Sequence, residues 1–113
     1  LDDTIKELTA VVEVEFPKGT DDRDGLKLQL DAYSFLGELL LEKKQPDKAV
    51  DLLKEGLKKA PDMSKQTYQL YMTLGHVYKE MKKNDDALDA FDKAQKISKK
   101  LKEAEEARKA SEK

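Results

Sequence analysis

Apolar residues recur along this chain at steps of three and four, and the steps fall into blocks. From Asn84 to Leu101 the series Ala87, Phe91, Ala94, Ile97 and Leu101 advances by four, three, three and four, which draws one apolar stripe along a helix. Asn84 suits the N-cap of that helix, and Asp85 and Asp86 follow in the first turn, where carboxylates favour the positive end of the helix dipole. Just upstream, YMTLGHVY (71–78) sets Tyr71, Leu74, Gly75 and Tyr78 at intervals of three, one and three. Glycine inside a helix costs about 1 kcal/mol relative to alanine. Its place among large residues therefore predicts a neighbour packed very close. Small Ala87 and Ala94 on the next stripe would admit that neighbour, so the two helices should fold back on one another with Gly75 at their contact.

The hairpin occurs twice. Tyr33, Leu36, Gly37 and Leu40 reproduce the spacing of Tyr71, Leu74, Gly75 and Tyr78 at an offset of 38 (75 minus 37). Ala49 follows Gly37 by twelve residues as Ala87 follows Gly75, and Leu53 and Gly56 stand where Phe91 and Ala94 stand. Pro46 sits at the N1 position expected for the second helix of the first copy, and Pro61 falls 24 residues after Gly37.

These residues resemble the tetratricopeptide repeat family, whose signature runs W-x2-L-G-x2-Y, A-x3-F and a terminal P over about 34 residues. Residues 68–101 carry Tyr71 for the Trp, then Leu74-Gly75, Tyr78, Ala87 and Phe91, with Lys99 in place of the proline. Residues 30–63 carry Tyr33, Leu36-Gly37, Ala49 and Pro61, with Leu40 and Leu53 in the aromatic positions. The extra four residues per period fall in PDMSKQT, between the copies. Lys44 and Lys82 depart from the family, which often has glycine at that turn position, so the turns within the repeats are expected to be tighter or differently shaped. The resemblance implies an all-α fold in one domain, 1–113: a solenoid of antiparallel helix pairs with two full repeats, a partial N-terminal repeat and an extended C-terminal helix.

Residues 3–16 read as the second helix of the partial repeat, through Ile5, Leu8, Val12 and Phe16. VEVEF alternates as a strand would, but a lone strand has no partner here. Residues 17–25 read as an acidic loop. No breaker follows Ala94, so the last helix should run on through 102–113, where charges pair at helical spacing, as Glu105 with Lys109, and few apolar groups ask for burial. Two repeats are fewer than the ~3 a stable array usually needs, so the flanking helices are expected to serve as partial repeats.

Composition narrows the function. A chain of 113 residues supports one modest core. Lysine and arginine number 22 against 24 acids, interspersed along the helices, so there is no basic patch for nucleic acid. The absence of cysteine excludes disulfides, thiolate metal sites and thiol nucleophiles. The longest apolar run is three or four residues, too short for direct membrane insertion, and LDDTIKEL is too charged for a secretory signal. The start at Leu1 rather than Met reads as a processed chain or a piece of something longer, and a soluble, intracellular location is expected.

Chemistry-bearing motifs are few. His76 is the single histidine, without HExxH spacing or cysteine neighbours, and reads as a groove or surface residue. Asp22, Asp24, Gly25 and Asp31 fall at positions three, five, six and twelve of a calcium loop. That register puts Thr20 at position one and Lys27 at the usually apolar eighth, so a solvated loop in which Asp24 caps the following helix is preferred. No phosphate loop, nucleophile elbow or dinucleotide fingerprint is present. No catalytic residue, metal site or cofactor is expected. Tyr33, Tyr71, Tyr78 and Phe91 read as packing residues, with Tyr68 a candidate for exposure.

The family resemblance implies a concave surface lined by the first helix of each repeat. Its positions here are Asp31, Ser34, Glu38, Leu41 and Glu42 in the first repeat, and Gln69, Met72, His76, Lys79 and Glu80 in the second. Some family members hold the acidic C-terminal tails of heat-shock chaperones through Lys, Asn and Arg at such positions. Ser34, Glu38, Met72 and His76 offer no such clamp, and Glu38 would repel a carboxylate, so binding of a tail ending in EEVD is not expected. The reading is a non-catalytic adaptor for a protein segment with basic and apolar side chains. Its alternative is self-association into a homo-oligomer, or a structural segment of a longer solenoid.

Overall fold

The computed structural model describes residues 2–14 and 23–111. They form five helices, α1 (Asp2–Glu13), α2 (Arg23–Glu42), α3 (Pro46–Lys59), α4 (Lys65–Glu80) and α5 (Asn84–Ser111), with no strand among them. The fold is all-α, as the two apolar periods require. Val12 and Glu13 of the VEVEF segment lie in α1, and Phe16 falls outside the described residues with 17–22. Two corrections follow at the start of α2. Arg23 is already helical, so Asp24 and Gly25 lie within the helix and Asp24 is not its cap. Asp31 then sits in mid-helix, which rules out the looped backbone that a calcium register from Thr20 to Asp31 would need.

The helices pair in order: α1 on α2, α2 on α3, α2 and α3 on α4, and α4 on α5. The turns within the two repeats are built alike. Lys44 N–H donates to Leu41 O at 2.9 Å and Gln45 N–H to Leu40 O at 2.9 Å. In the second copy Lys82 N–H donates to Lys79 O at 3.0 Å and Lys83 N–H to Tyr78 O at 2.9 Å. This pair of backbone bonds is the Schellman helix ending, which needs a left-handed residue. Lys44 and Lys82 supply it at φ 62 and 63°. The turns thus keep the shape glycine would give, against the expectation of a different one, and lysine bears the strain.

Gln45 caps α3, with Pro46 at N1, and its carbonyl accepts from Ala49 N–H at 3.1 Å. The equivalent bond from Ala87 N–H runs to Lys83 O at 2.9 Å, so Lys83 holds the cap position and Asn84 the first turn, one residue later than its type suggests. Ser64 caps α4 by accepting from Thr67 N–H at 3.0 Å, and the buried Thr67 hydroxyl donates to Pro61 O, which ties down the link between the repeats.

Gly37 and Gly75 are buried, but their neighbours are not small residues. A Cβ on Gly75 would lie 2.6 Å from Cε1 of Phe91, and one on Gly37 would lie 2.9 Å from Cδ2 of Leu53. Each glycine is a socket for a large side chain of the second helix, and the alanines at 49 and 87 are buried on that helix. Gly56 returns the arrangement: a Cβ there would meet Cγ of Tyr33 at 2.9 Å. Around these sockets close the buried side chains Tyr33, Leu36, Leu53, Leu70, Val77 and Ala94. Full burial of a leucine such as Leu53 contributes about 2 kcal/mol. Tyr68, Tyr71 and Phe91 are half-buried.

α1 is held by its C-terminal carbonyls. Gln29, 2% exposed, donates through Nε2 to Val11 O, Val12 O and Val14 O at 3.1, 3.2 and 2.6 Å. Tyr33 Oη and Lys59 Nζ also donate to Val12 O, each at 3.3 Å. Ile5 and Leu8 pack against the core while Val12 enters it. At the other end Ile97 is buried, Leu101 half-buried and the last turns of α5 exposed, with Lys109 Nζ 3.5 Å from Glu105 Oε1.

Candidate functional site

Because α2 and α4 lie side by side, positions 38 residues apart share one face of the molecule. Glu38 and His76 meet across it: His76 Nδ1 lies 3.3 Å from both Glu38 oxygens, and Nε2 lies 3.7 Å from Glu80 Oε1 one turn on. All three side chains are roughly half-exposed, so these contacts contribute little to stability and leave the carboxylates accessible from solvent.

Beside this bridge a cleft of about 210 Å³ runs between the two helices, lined by Asp31, Ser34, Phe35, Glu38, Gln69 and Thr73. Asp31, Phe35 and Glu38 share one side of α2 at helical spacing. Asp31 and Gln69 are exposed at its rim, and Phe35 presents its ring to solvent, 56% exposed. Ser34 and Thr73 are its deep members, 6% and 2% exposed, and neither Ser34 Oγ nor Thr73 Oγ1 has a hydrogen-bond partner.

The structure therefore sorts the groove positions named from the sequence. Asp31, Ser34, Glu38 and Gln69 meet in the cleft, and His76 and Glu80 join through Glu38. Ser34 is a buried wall residue rather than a surface contact. Leu41 is half-buried against the core, Met72 is half-buried, and Glu42 and Lys79 are exposed; none of these four lines the cleft. Phe35 and Thr73 were not foreseen. The available signal was a phenylalanine between two acids at helical spacing, out of step with the apolar stripe of Tyr33, Leu36 and Leu40. Among the described residues no group of three or more His, Cys, Asp or Glu is placed to hold a metal ion, and no helix is long and apolar enough to cross a membrane.

Paired helices with twice-repeated turns, sockets and spacing define a helical-repeat protein, a class that recognises partners by surface shape. The family profile described as tetratricopeptide repeat matches residues 30–63 and 68–101, more than half of the sequence, and the chain belongs to that family. No curated protein matches the sequence. Tetratricopeptide repeats are protein–protein interaction modules, typically non-catalytic.

Proposed function

We propose that this chain is a non-catalytic adaptor that holds a partner segment carrying basic and apolar side chains on the concave face shared by α2 and α4. The observation that supports this is the make-up of that face. Asp31, Glu38 and Glu42 of α2 and Glu80 of α4 put carboxylates on the same two helices as exposed Phe35 and half-buried Met72. Acidic groups at the rim steer and register a basic segment, and the apolar side chains supply the contact area that holds it. Single changes Glu38→Lys, Met72→Ala and His76→Ala should each weaken binding of a captured partner at an unchanged melting temperature. Binding that survives all three would remove this face from the account. A peptide ending in EEVD should show no saturable binding, and a tight complex with it would overturn the charge argument.

A second reading has its own support. Leu28 and Phe35 are 68% and 56% exposed, whereas their equivalents one repeat on, Gln66 and Thr73, are half-buried and buried where α4 meets α2. That open stretch of α2 suits another helix, from a second copy or from a longer solenoid. Light scattering across a concentration series tests the self-association form, which a strict monomer would eliminate.

A further inference from the structure

We infer that the open side of α2 is the seat of a helix from a second copy of this chain, residues 101–111 of its α5, a deeper statement that rests on the self-association reading above. Equivalent positions define the seat. α2 lies against both α3 and α4, and Thr73 and Val77 are buried on the side of α4 that meets it. The same positions on α2 hold exposed Phe35 and half-buried Leu39, with exposed Leu28 two turns before Phe35. On α1, Val11 stands 38 residues before Ala49 (49 minus 11) and is 41% exposed, whereas Ala49 and Ala87 are buried. One helix lying against α1 and α2, as α2 lies against α3 and α4, covers all of these apolar side chains. The neighbouring place is taken, because α1 packs on α2 as α3 packs on α4. A helical hairpin therefore does not fit the seat, and a lone helix does.

The chain supplies such a helix. α5 packs on α4 alone, and residues 102–111 are exposed throughout, the one stretch of that length among the described helices. They continue α5 without a break and do not touch α2 of their own chain, so the seat they fill belongs to another molecule. The apolar stripe of α5 runs on through them: Leu101, Ala104, Ala107 and Ser111 advance by three, three and four and share one side. These small residues leave room for Leu28, Phe35 and Leu39, the same fit of large against small that the glycine sockets use. Residues 101–111 and 28–39 also match in length, about 17 Å each at 1.5 Å per residue. Charge agrees with shape. Residues 28–42 carry Asp31, Glu38 and Glu42 and no base, whereas Lys100 and Arg108 share the small side of the tail and Glu105 is engaged by Lys109. Asp31, Glu42, Lys100 and Arg108 have no ion-pair partner among the described residues, so docking gives each a counter-charge.

The test is light scattering of the full chain across a concentration series, beside a Phe35→Asp variant and a variant with Ala104→Glu and Ala107→Glu together. All three positions are exposed, so the melting temperatures should hold. The mass of the parent chain should rise above 12.9 kDa with concentration, and each variant alone should stay at the monomer. An equimolar mixture of the two variants should associate again, because one brings an intact tail and the other an intact seat, as a heterologous contact requires. Labelled tail variant mixed with unlabelled Phe35→Asp chain should show amide shifts at Val11, Leu28, Phe35 and Leu39. If the tail variant associates like the parent, or the mixture stays monomeric while the parent associates, the tail is not the occupant and the self-association reading stands without it. A parent chain that is monomeric at every concentration would overturn both.

Discussion

Repeat one and repeat two share a spacing and solve it with different side chains. In the first, Leu53 fills the socket of Gly37 and Tyr33 sinks over Gly56 until it is 1% exposed. In the second, the Phe91 ring fills the socket of Gly75, Ala94 replaces the second glycine, and Tyr71 stays half-buried with Lys93 Nζ 5.9 Å from its ring centre. What the repeats hold in common is a fit of large against small across each helix pair, and the identity of the large residue is free to change. The outer sides differ in the same manner. Thr73 is covered where α4 meets α2, and Phe35, its equivalent on α2, faces solvent beside Asp31 and Glu38. The α4 side is covered by its neighbour, and the equivalent side of α2 is left open.

Emptying a socket breaks the comparison most severely. Leu53→Ala removes a fully buried side chain and should destabilise the chain by about 2–5 kcal/mol in urea melts. The attachment of α1 ranks next. Gln29→Leu strips a donor from three carbonyls and should cost about 1–3 kcal/mol, with faster hydrogen exchange concentrated in Asp2–Glu13. A uniform change in exchange would contradict the local role given to Gln29.

Filling the glycine sockets sharpens the contrast between repeats. Gly75→Ala gains roughly 1 kcal/mol of helix propensity but drives a Cβ against the Phe91 ring, where overpacking costs about 1–3 kcal/mol, so a net loss is expected. Gly37→Ala meets the methyl ends of Leu53, which can turn aside, and should come out milder in the same melts. The reverse order would mean that the ring, not the leucine, is the adaptable partner. Smallest are Lys44→Gly and Lys82→Gly, which relieve a left-handed side chain and should each stabilise by about 0.5–1 kcal/mol, equally in the two repeats because their turns coincide.

The helix periods, the offset of 38 and the hairpin pairing were legible because each follows from spacing alone. The contents of the sockets were not. Small residues at 37, 49, 75 and 87 mark a close approach, but helix phase decides that Leu53 and Phe91, rather than alanines, reach the glycines. The lysines at 44 and 82 concealed the left-handed turn because the residue that announces it is glycine. The start of α2 was hidden by an acidic, glycine-bearing stretch that has loop composition, although Leu26 and Leu30 already run at helical spacing into Tyr33. On the face shared by α2 and α4, charge positions could be read from the repeat phase, whereas the burial of Ser34 and the exposure of Phe35 depend on where α4 lies.

Selection of displayed random peptides against the whole chain, repeated with Glu38→Lys and Phe35→Ala variants, tests the adaptor account most directly. The account predicts that the selected sequences combine basic and apolar residues, shift the amides of α2 and α4, and lose binding to both variants. Enrichment of acidic sequences, or peptides that bind the variants as well as the parent chain, would contradict it.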